Sequence, residues 1–562
     1  MAEKIVSPGV FTKEIDQSFL PAAIGDIGAA VIGPTVKGPA GIPTLVSSYS
    51  EYQEKFGDTF KSGSSYYTYL TSHTARQYLR HGSTLTVVRI LADGTQLYSE
   101  AQSAVVTGSG QFFSASAEPV GAGGVAENNA NTAFTLYTLS HGALLNNRNS
   151  FSESIALTGS NNILLSGSKN NVRWEVTSRN NAKGTFTLLL RRGDDSNKRK
   201  QVLETWNNIT LDPNSSNYAA KIIGDQKWEL KGAGTTDPFL MLSGSYPNKS
   251  KYVRIDIAKT TVDYLDENGN VRVGAASQSL PTNGSGSYHG SFKGGSDGHT
   301  GFDAVGNATG DSARDARFYD KMIANNMQGF DPNAAADGKN AYEDAINLLG
   351  NQDEYDINLV LLPGLTADNI NTGASLITKA INMCEDRGDC FVISDPGLYE
   401  TAIKTATSTA EGRDSNYAAM YYPWVQIQDP DLGQYIWVPP SVVMSSVYAF
   451  NDKVAHEWFA PAGLNRGGID AAIQAERRLT QANRDTLYES NVNPIATFPG
   501  QGIVAWGQKT LQKKSSALDR INVRRLLIKL KKFIASSSRF LVFEQNNAST
   551  RNRFLNIVNP FL

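Results

Sequence analysis

The residues able to do chemistry are few, and each arrangement lacks a part. His81-Gly82-Ser83 sets a hydroxyl two positions from an imidazole. A nucleophile and its base are brought together by the fold rather than by adjacency in sequence, and the chain has no G-x-S-x-G elbow. Asp395 closes the apolar run Phe391-Val392-Ile393 at a strand end, where catalytic acids often stand, but Asp395-Pro396-Gly397 reads equally well as a turn. His456-Glu457 opens H-E-W-F-A, and the position where a zinc-protease helix needs its second histidine is Ala460. Gly294–His299 (G-G-S-D-G-H) has the look of a phosphate loop without the lysine that makes one, and reads as a turn leaving an inserted domain. The carboxylate pairs Asp194/Asp195 and Asp429/Asp431 fall in turn-like contexts and read as solvated.

The 6 histidines are scattered, and Cys384 and Cys390 are the only 2 cysteines, without C-x-x-C spacing. A cysteine zinc site is not indicated, at most one disulfide is available, and synthesis in a reducing compartment is expected. No cofactor and no metal are expected, and the chain reads as non-enzymatic.

Charge placement is the stronger signal. The 562 residues hold 52 Lys+Arg against 54 Asp+Glu, a net charge of −2 that taken whole argues against a nucleic-acid coat or a polybasic membrane binder. Split at residue 500, it becomes −12 before and +10 after. The basic end carries a predicted helix from Asp519, with Ile521, Val523, Leu526, Leu527, Leu530, Phe533 and Ile534 as its apolar face. Arg520, Arg524, Arg525, Lys529, Lys531 and Lys532 would form the polar face, aimed at an acidic partner surface. Readers of single-stranded nucleic acid interleave aromatics for stacking; here only Phe533 is offered, and it belongs to the apolar face. The longest aliphatic run, Leu359–Leu362, falls far short of the ~20 residues a bilayer span needs, and the opening residues show no apolar signal-peptide core.

At roughly 150 residues per domain, the length suggests about four domains. Residues 1–22 read as an arm, extended over Val10–Asp16. Ala29–Gly33, helices over Tyr49–Phe56 and Tyr66–Arg80, and Leu85–Ile90 give strand, helix, strand, the signature of a parallel sheet. The pattern returns with a helix at Ala341–Leu349 ended by Gly350, a strand at Ile357–Leu362 ended by Pro363-Gly364, a helix at Ala367–Cys384, a strand at Phe391–Ile393 and a helix at Leu398–Thr405. Between lie short alternating runs such as Ala133–Leu139, Val172–Thr177, Thr185–Arg191 and Tyr252–Ile257. The fold class is therefore an α/β core with a mostly parallel, discontinuous sheet over 23–95 and 340–485. Two β-rich insertions at 96–180 and 181–339 interrupt it, and an α+β domain at 486–562 follows.

Several blocks together resemble the contractile tail sheath proteins of bacteriophages. They are S-P-G-V-F-T-K-E-I-D (Ser7–Asp16), G-G-S-D-G (Gly294–Gly298), H-E-W-F-A-P-A-G-L-N-R-G (His456–Gly467), L-Y-E-S-N-V-N-P-I (Leu487–Ile495), V-A-W-G-Q-K-T-L (Val504–Leu511) and I-N-V-R-R-L (Ile521–Leu526), with F-E-Q-N (Phe543–Asn546) a near match. The blocks stand in the family's order and leave 96–290 uncovered. The resemblance implies a subtilisin-like core without a working triad and homo-oligomeric six-membered rings stacked helically around a tail tube. It also implies contraction that drives the tube through the host envelope, and contacts with baseplate and tail terminator proteins. It places the chain in the virion tail, assembled in host cytoplasm, with no nucleic-acid and no membrane partner. By the same resemblance the basic helix faces an acidic tube surface, and Val10, Phe11, Thr12, Lys13, Glu14 and Ile15 add a strand to a neighbouring subunit. Family members continue past the block matching Phe554–Leu562, so the implied expectation is a shortened chain that lacks the acceptor strands and is monomeric. The alternatives are a non-contractile virion or adhesion protein and an inactive subtilisin-like hydrolase relative.

Overall fold

The computed structural model describes residues 28–62, 65–91, 98–106, 132–142, 163–164, 167–272, 280–286, 290–292, 294–295, 297, 317–335, 338–367 and 373–560. Eight strands form the central sheet: β1 (Gly28–Gly33), β2 (Thr44–Val46), β3 (Leu85–Arg89), β4 (Ile357–Thr366), β5 (Phe391–Asp395), β6 (Ala418–Tyr422), β7 (Val492–Phe498) and β8 (Gly502–Ala505). Their order is β2-β3-β1-β4-β5-β6-β7-β8. The six inner strands run parallel, in registers such as Ala30 beside Thr86 and Val360 beside Val392, while β2 and β8 close the edges antiparallel.

The sequence dictates this layering. β1, β4 and β5 are buried at every position, as expected of parallel strands covered on both faces. Helices Leu70–Tyr78 and Pro440–Val454 pack together on the sheet. Gly33 lets the first approach β1, because a Cβ there would lie 2.3 Å from the Thr71 hydroxyl. One apolar cluster joins this sheet, its helices and Phe318–Phe330.

The inserted region has its own core, built on Phe134, Trp174, Phe186, Leu188 and Ile255. Two three-stranded antiparallel sheets hold it, Val172–Asn180/Thr185–Arg192/Val202–Thr210 and Glu100–Val106/Thr132–His141/Val253–Ile257. The first sheet straddles the expected boundary at 180/181, and a single core serves both proposed insertions. Residues 317–330 pack with the α/β core instead, since Phe318 stacks on Tyr67 at 4.4 Å. β7 and β8 belong to the central sheet, so a domain boundary at 485/486 cuts through it; Val492 and Ile495 are as buried as the strands they extend.

Local expectations are corrected in four places. Tyr66–Thr68 is strand rather than helix, within the hairpin Thr59–Ser62/Ser65–Thr68, because Thr68 exchanges hydrogen bonds with the Tyr319 hydroxyl at 2.9 Å. β4 continues through Pro363-Gly364 to Thr366, with a register irregularity absorbing the proline and Gly364 at φ +97°. Ala367 lies outside the next helix, which is described from Gly373, and the one after starts later than expected, at Ile403. Gly350 closes its helix in the right-handed region, at φ −61°, not as a left-handed cap.

Candidate functional site

The basic helix forms over Ile521–Ser538, entered through a short 3-10 turn at Ala517–Asp519. Its buried face mixes residues from both expected faces. Ile521, Arg524, Arg525, Ile528 and Ser537 are buried, whereas Val523, Leu526, Leu527, Leu530, Phe533 and Ile534 stay partly exposed. The arginines are the reason. Arg524 lies over the Tyr417 ring at 4.1 Å and donates to Asn416 Oδ1 at 3.1 Å. Arg525 lies over Tyr448 at 5.0 Å and forks onto Asp452, at 2.8 and 2.5 Å. A guanidinium is planar and weakly hydrated, so it stacks on an aromatic face and grips a carboxylate with two bonds. Burial pulls the Arg524 pKa below its ordinary value; in Arg525 burial acts the same way, but Asp452 overrides it and holds the pKa above.

The remaining cations of the helix are also engaged within the chain. Lys529 reaches Glu457 at 3.1 Å, and Lys532 reaches Asp356 at 2.7 Å, the Ile357 carbonyl at 2.6 Å and Asp389 at 3.5 Å. Arg520 pairs with Asp519 at 3.2 Å and meets the Tyr488 hydroxyl at 2.5 Å, Lys531 meets the Tyr417 hydroxyl at 3.3 Å, and Arg539 meets Asp353 at 2.9 Å. Four cations of the basic end, Arg525, Lys529, Lys532 and Arg539, are thus paired with acids of the first 500 residues. Two exposed lysines on the loop before the helix, Lys513 and Lys514, have no carboxylate within ion-pair distance among the described residues. The arm residues Val10, Phe11, Thr12, Lys13, Glu14 and Ile15 lie outside the described residues.

The hydrolytic candidates have structural partners. Asp395, at the end of β5, accepts from the Ser441 N–H at 2.8 Å and its hydroxyl at 2.5 Å, capping the helix Pro440–Val454. Burial pushes its carboxyl up to about 7. His81 meets the edge of Phe450 at 5.2 Å, and His456 stacks on Trp458 at 4.4 Å. Asp195 and Asp429 are buried rather than solvated. Asp195 takes two bonds from the buried Arg191, at 2.8 and 2.9 Å. Asp429 accepts from Thr68 at 3.0 Å and lies 3.7 Å from His73, whose pKa burial pulls down to about 4. Among the described residues there is no group of three or more His, Cys, Asp or Glu able to hold a metal, and no helix long and apolar enough to cross a membrane.

Arg89 went unread in the sequence and turns out to join the two bodies. It ends β3 fully buried and donates to the Gly38 carbonyl at 2.6 Å and the His141 carbonyl at 2.7 Å. Burial lowers its pKa, and the first charge opposing that is Asp297, itself buried. Asp297 is the acid of the glycine-rich block at 294–298, of which Ser296 and Gly298 lie outside the described residues. The block holds a counter-charge where the chain returns from the insertion.

The α/β sheet is broken by a large insertion, and among the sequence candidates Asp395, His81 and His456 each contact a neighbouring side chain. Residues 338–511 match the family model for the phage tail sheath protein central domain, and the chain carries that domain. It is 29% identical over 260 residues to the tail sheath protein of Vibrio phage KVP40, covering 42% of this chain and 38% of that one. It is 30% identical over 232 residues to the tail sheath protein of Enterobacteria phage T4, covering 38% and 35%. The match thus spans little more than a third of either relative's length. The sheath tail protein of Listeria innocua shares the fold, at TM-score 0.50 and 10% identity over 96% of this chain and 86% of that one.

Proposed function

We propose that this chain is a structural subunit of a contractile tail sheath. It stacks as six-membered rings around a rigid tube, and shortening of the sheath drives the tube through a host envelope. The observation carrying this reading is the sheath central-domain match at 338–511, which takes in β4 to β8. The proposed core is a subtilisin-like scaffold without a working triad. That reading is supported by the engagement of Asp395 with Ser441 and of His81 with Phe450.

The arm Val10–Ile15 is proposed to add a strand to a neighbouring subunit, keeping rings linked while globular bodies move. The tube is proposed to present an acidic outer surface. The helix Ile521–Ser538 remains the proposed tube-facing element. Because Arg524, Arg525, Lys529 and Lys532 are held inside the chain, the cations proposed to reach the tube are the exposed Lys513, Lys514 and Lys531, the last of which meets a neutral hydroxyl and not a carboxylate. Exposed pairs contribute about 0–1 kcal/mol each, so attachment is strong only by repetition and yields pair by pair. The insertion is proposed to lie outside, with the subunit in the virion tail.

Electron microscopy of the full-length protein assembled with its tube protein tests the reading. Wide striated tubes that shorten on triggering are expected. A fibre, or discrete particles that never form a sheath, would favour a non-contractile virion protein.

A further inference from the structure

Cys384 lies in the last turn of the helix Gly373–Arg387, and Cys390 stands immediately before β5. The turn between them is tight. Gly388 takes φ +70° and donates its N–H to the Cys384 carbonyl at 2.8 Å, and this brings the two sulfurs to 2.7 Å. Both are free thiols, and both are completely buried. The turn is held from outside. Arg387 grips Asp389 at 2.8 and 3.0 Å and the Tyr355 carbonyl at 2.8 Å, and Lys532 of the basic helix lies 3.5 Å from the same Asp389. The pair plays no part in the proposed sheath contacts. Two sulfurs this close need only a small shift to bond.

We infer that Cys384 and Cys390 are an oxidisable dithiol, a modification site that a hydroperoxide closes into a disulfide. The link staples the end of the helix to the start of β5 beneath the basic helix. One thiolate attacks the peroxide oxygen, breaking the O–O bond to give a sulfenic acid and, with hydrogen peroxide, a first water. The second sulfur displaces the sulfenic oxygen as a second water. Two S–H bonds are lost, one S–S bond forms, and the peroxide takes up the two electrons and two protons. Burial pushes the Cys384 thiol up, and since the thiolate is the nucleophile, closure is slower in the folded chain than in the unfolded one.

The test uses the folded, full chain. It is treated with hydrogen peroxide, quenched, denatured and labelled with a maleimide, then measured by intact mass and peptide mapping. Untreated chain should take two labels. Treated chain should take none, be two hydrogens lighter, map a link between 384 and 390, and regain both labels after a dithiol reductant. Hydrogen exchange over 385–391 should slow roughly tenfold in the linked form. The inference is overturned if both labels persist in the folded chain however long the exposure, up to the point at which it unfolds. It is equally overturned if label is lost only to sulfinic or sulfonic acids, or to links between chains.

Discussion

Asp452→Ala isolates the contact that turns the basic helix inward. Arg525 keeps 4% of its surface and forks onto Asp452 at 2.8 and 2.5 Å, with its guanidinium over Tyr448. Removing one partner of a buried pair costs about 3–5 kcal/mol, because the other charge is left desolvated. Asp452 retains 23% of its side-chain surface, so water already screens part of the attraction and the lower bound, about 3 kcal/mol, is the better figure. At 1.36 kcal/mol per decade that is roughly a hundredfold change in an opening equilibrium. Hydrogen exchange over 521–538 reads it directly: protection of the helix should fall about a hundredfold while that of β4 and β5 is unchanged. Arg525→Met should cost less, since Asp452 can turn to water, and the double variant should recover part of the loss. Protection altered less than about threefold in Asp452→Ala would refute the view that the arginines, rather than the leucines, dock this helix.

Other consequences follow from the same structure. Asp297→Ala leaves Arg89 as an uncompensated buried cation and should cost about 3–5 kcal/mol, seen as faster limited proteolysis within 98–295 than within the α/β core. Asp395 keeps its proton up to about 7 when folded, against about 4 for an ordinary carboxyl. Its contribution is therefore complete below about pH 4 and lost as pH rises through its folded pKa. Urea titrations of Asp395→Asn should show a flatter pH dependence across that window. Charge reversal at Lys513 and Lys514 should weaken binding to an acidic tube most at low salt, while equal binding at 20 mM and 200 mM salt, on the order of those concentrations, would remove the electrostatic contact.

What was legible in the sequence was what alternation and apolar runs encode. Ala29–Gly33, Leu85–Ile90, Ile357–Leu362 and Phe391–Ile393 lie on neighbouring strands of one sheet, in agreement with the α/β reading. Tyr66–Thr68 was misread because its strand character comes from Phe318 and Tyr319, some 250 residues away in sequence. The helix faces were misread for a different reason. Apolar periodicity puts leucines inward, and the tertiary positions of Tyr417, Tyr448 and Asp452 are what give two arginines partners inside. The carboxylates of Asp195 and Asp429 looked solvated in turn-like sequence, yet Arg191 and Thr68 hold them inside. Arg89 did leave a signal, a lone charge within an apolar strand, but its partner stands 208 positions later in the numbering. The blocks from His456 to Leu511 fall in the stretch that matches the sheath central-domain model, without saying what their side chains touch.

The central claim is that the chain is a repeating sheath subunit. Cryo-electron microscopy of tailed particles carrying the full-length protein, decorated with an antibody raised against residues 185–210, tests it most directly. The account predicts label in regular rings along the whole outside of the tail, with the ring spacing shorter after contraction. Label confined to the baseplate or to fibres, or at a single position on the tail, would contradict it.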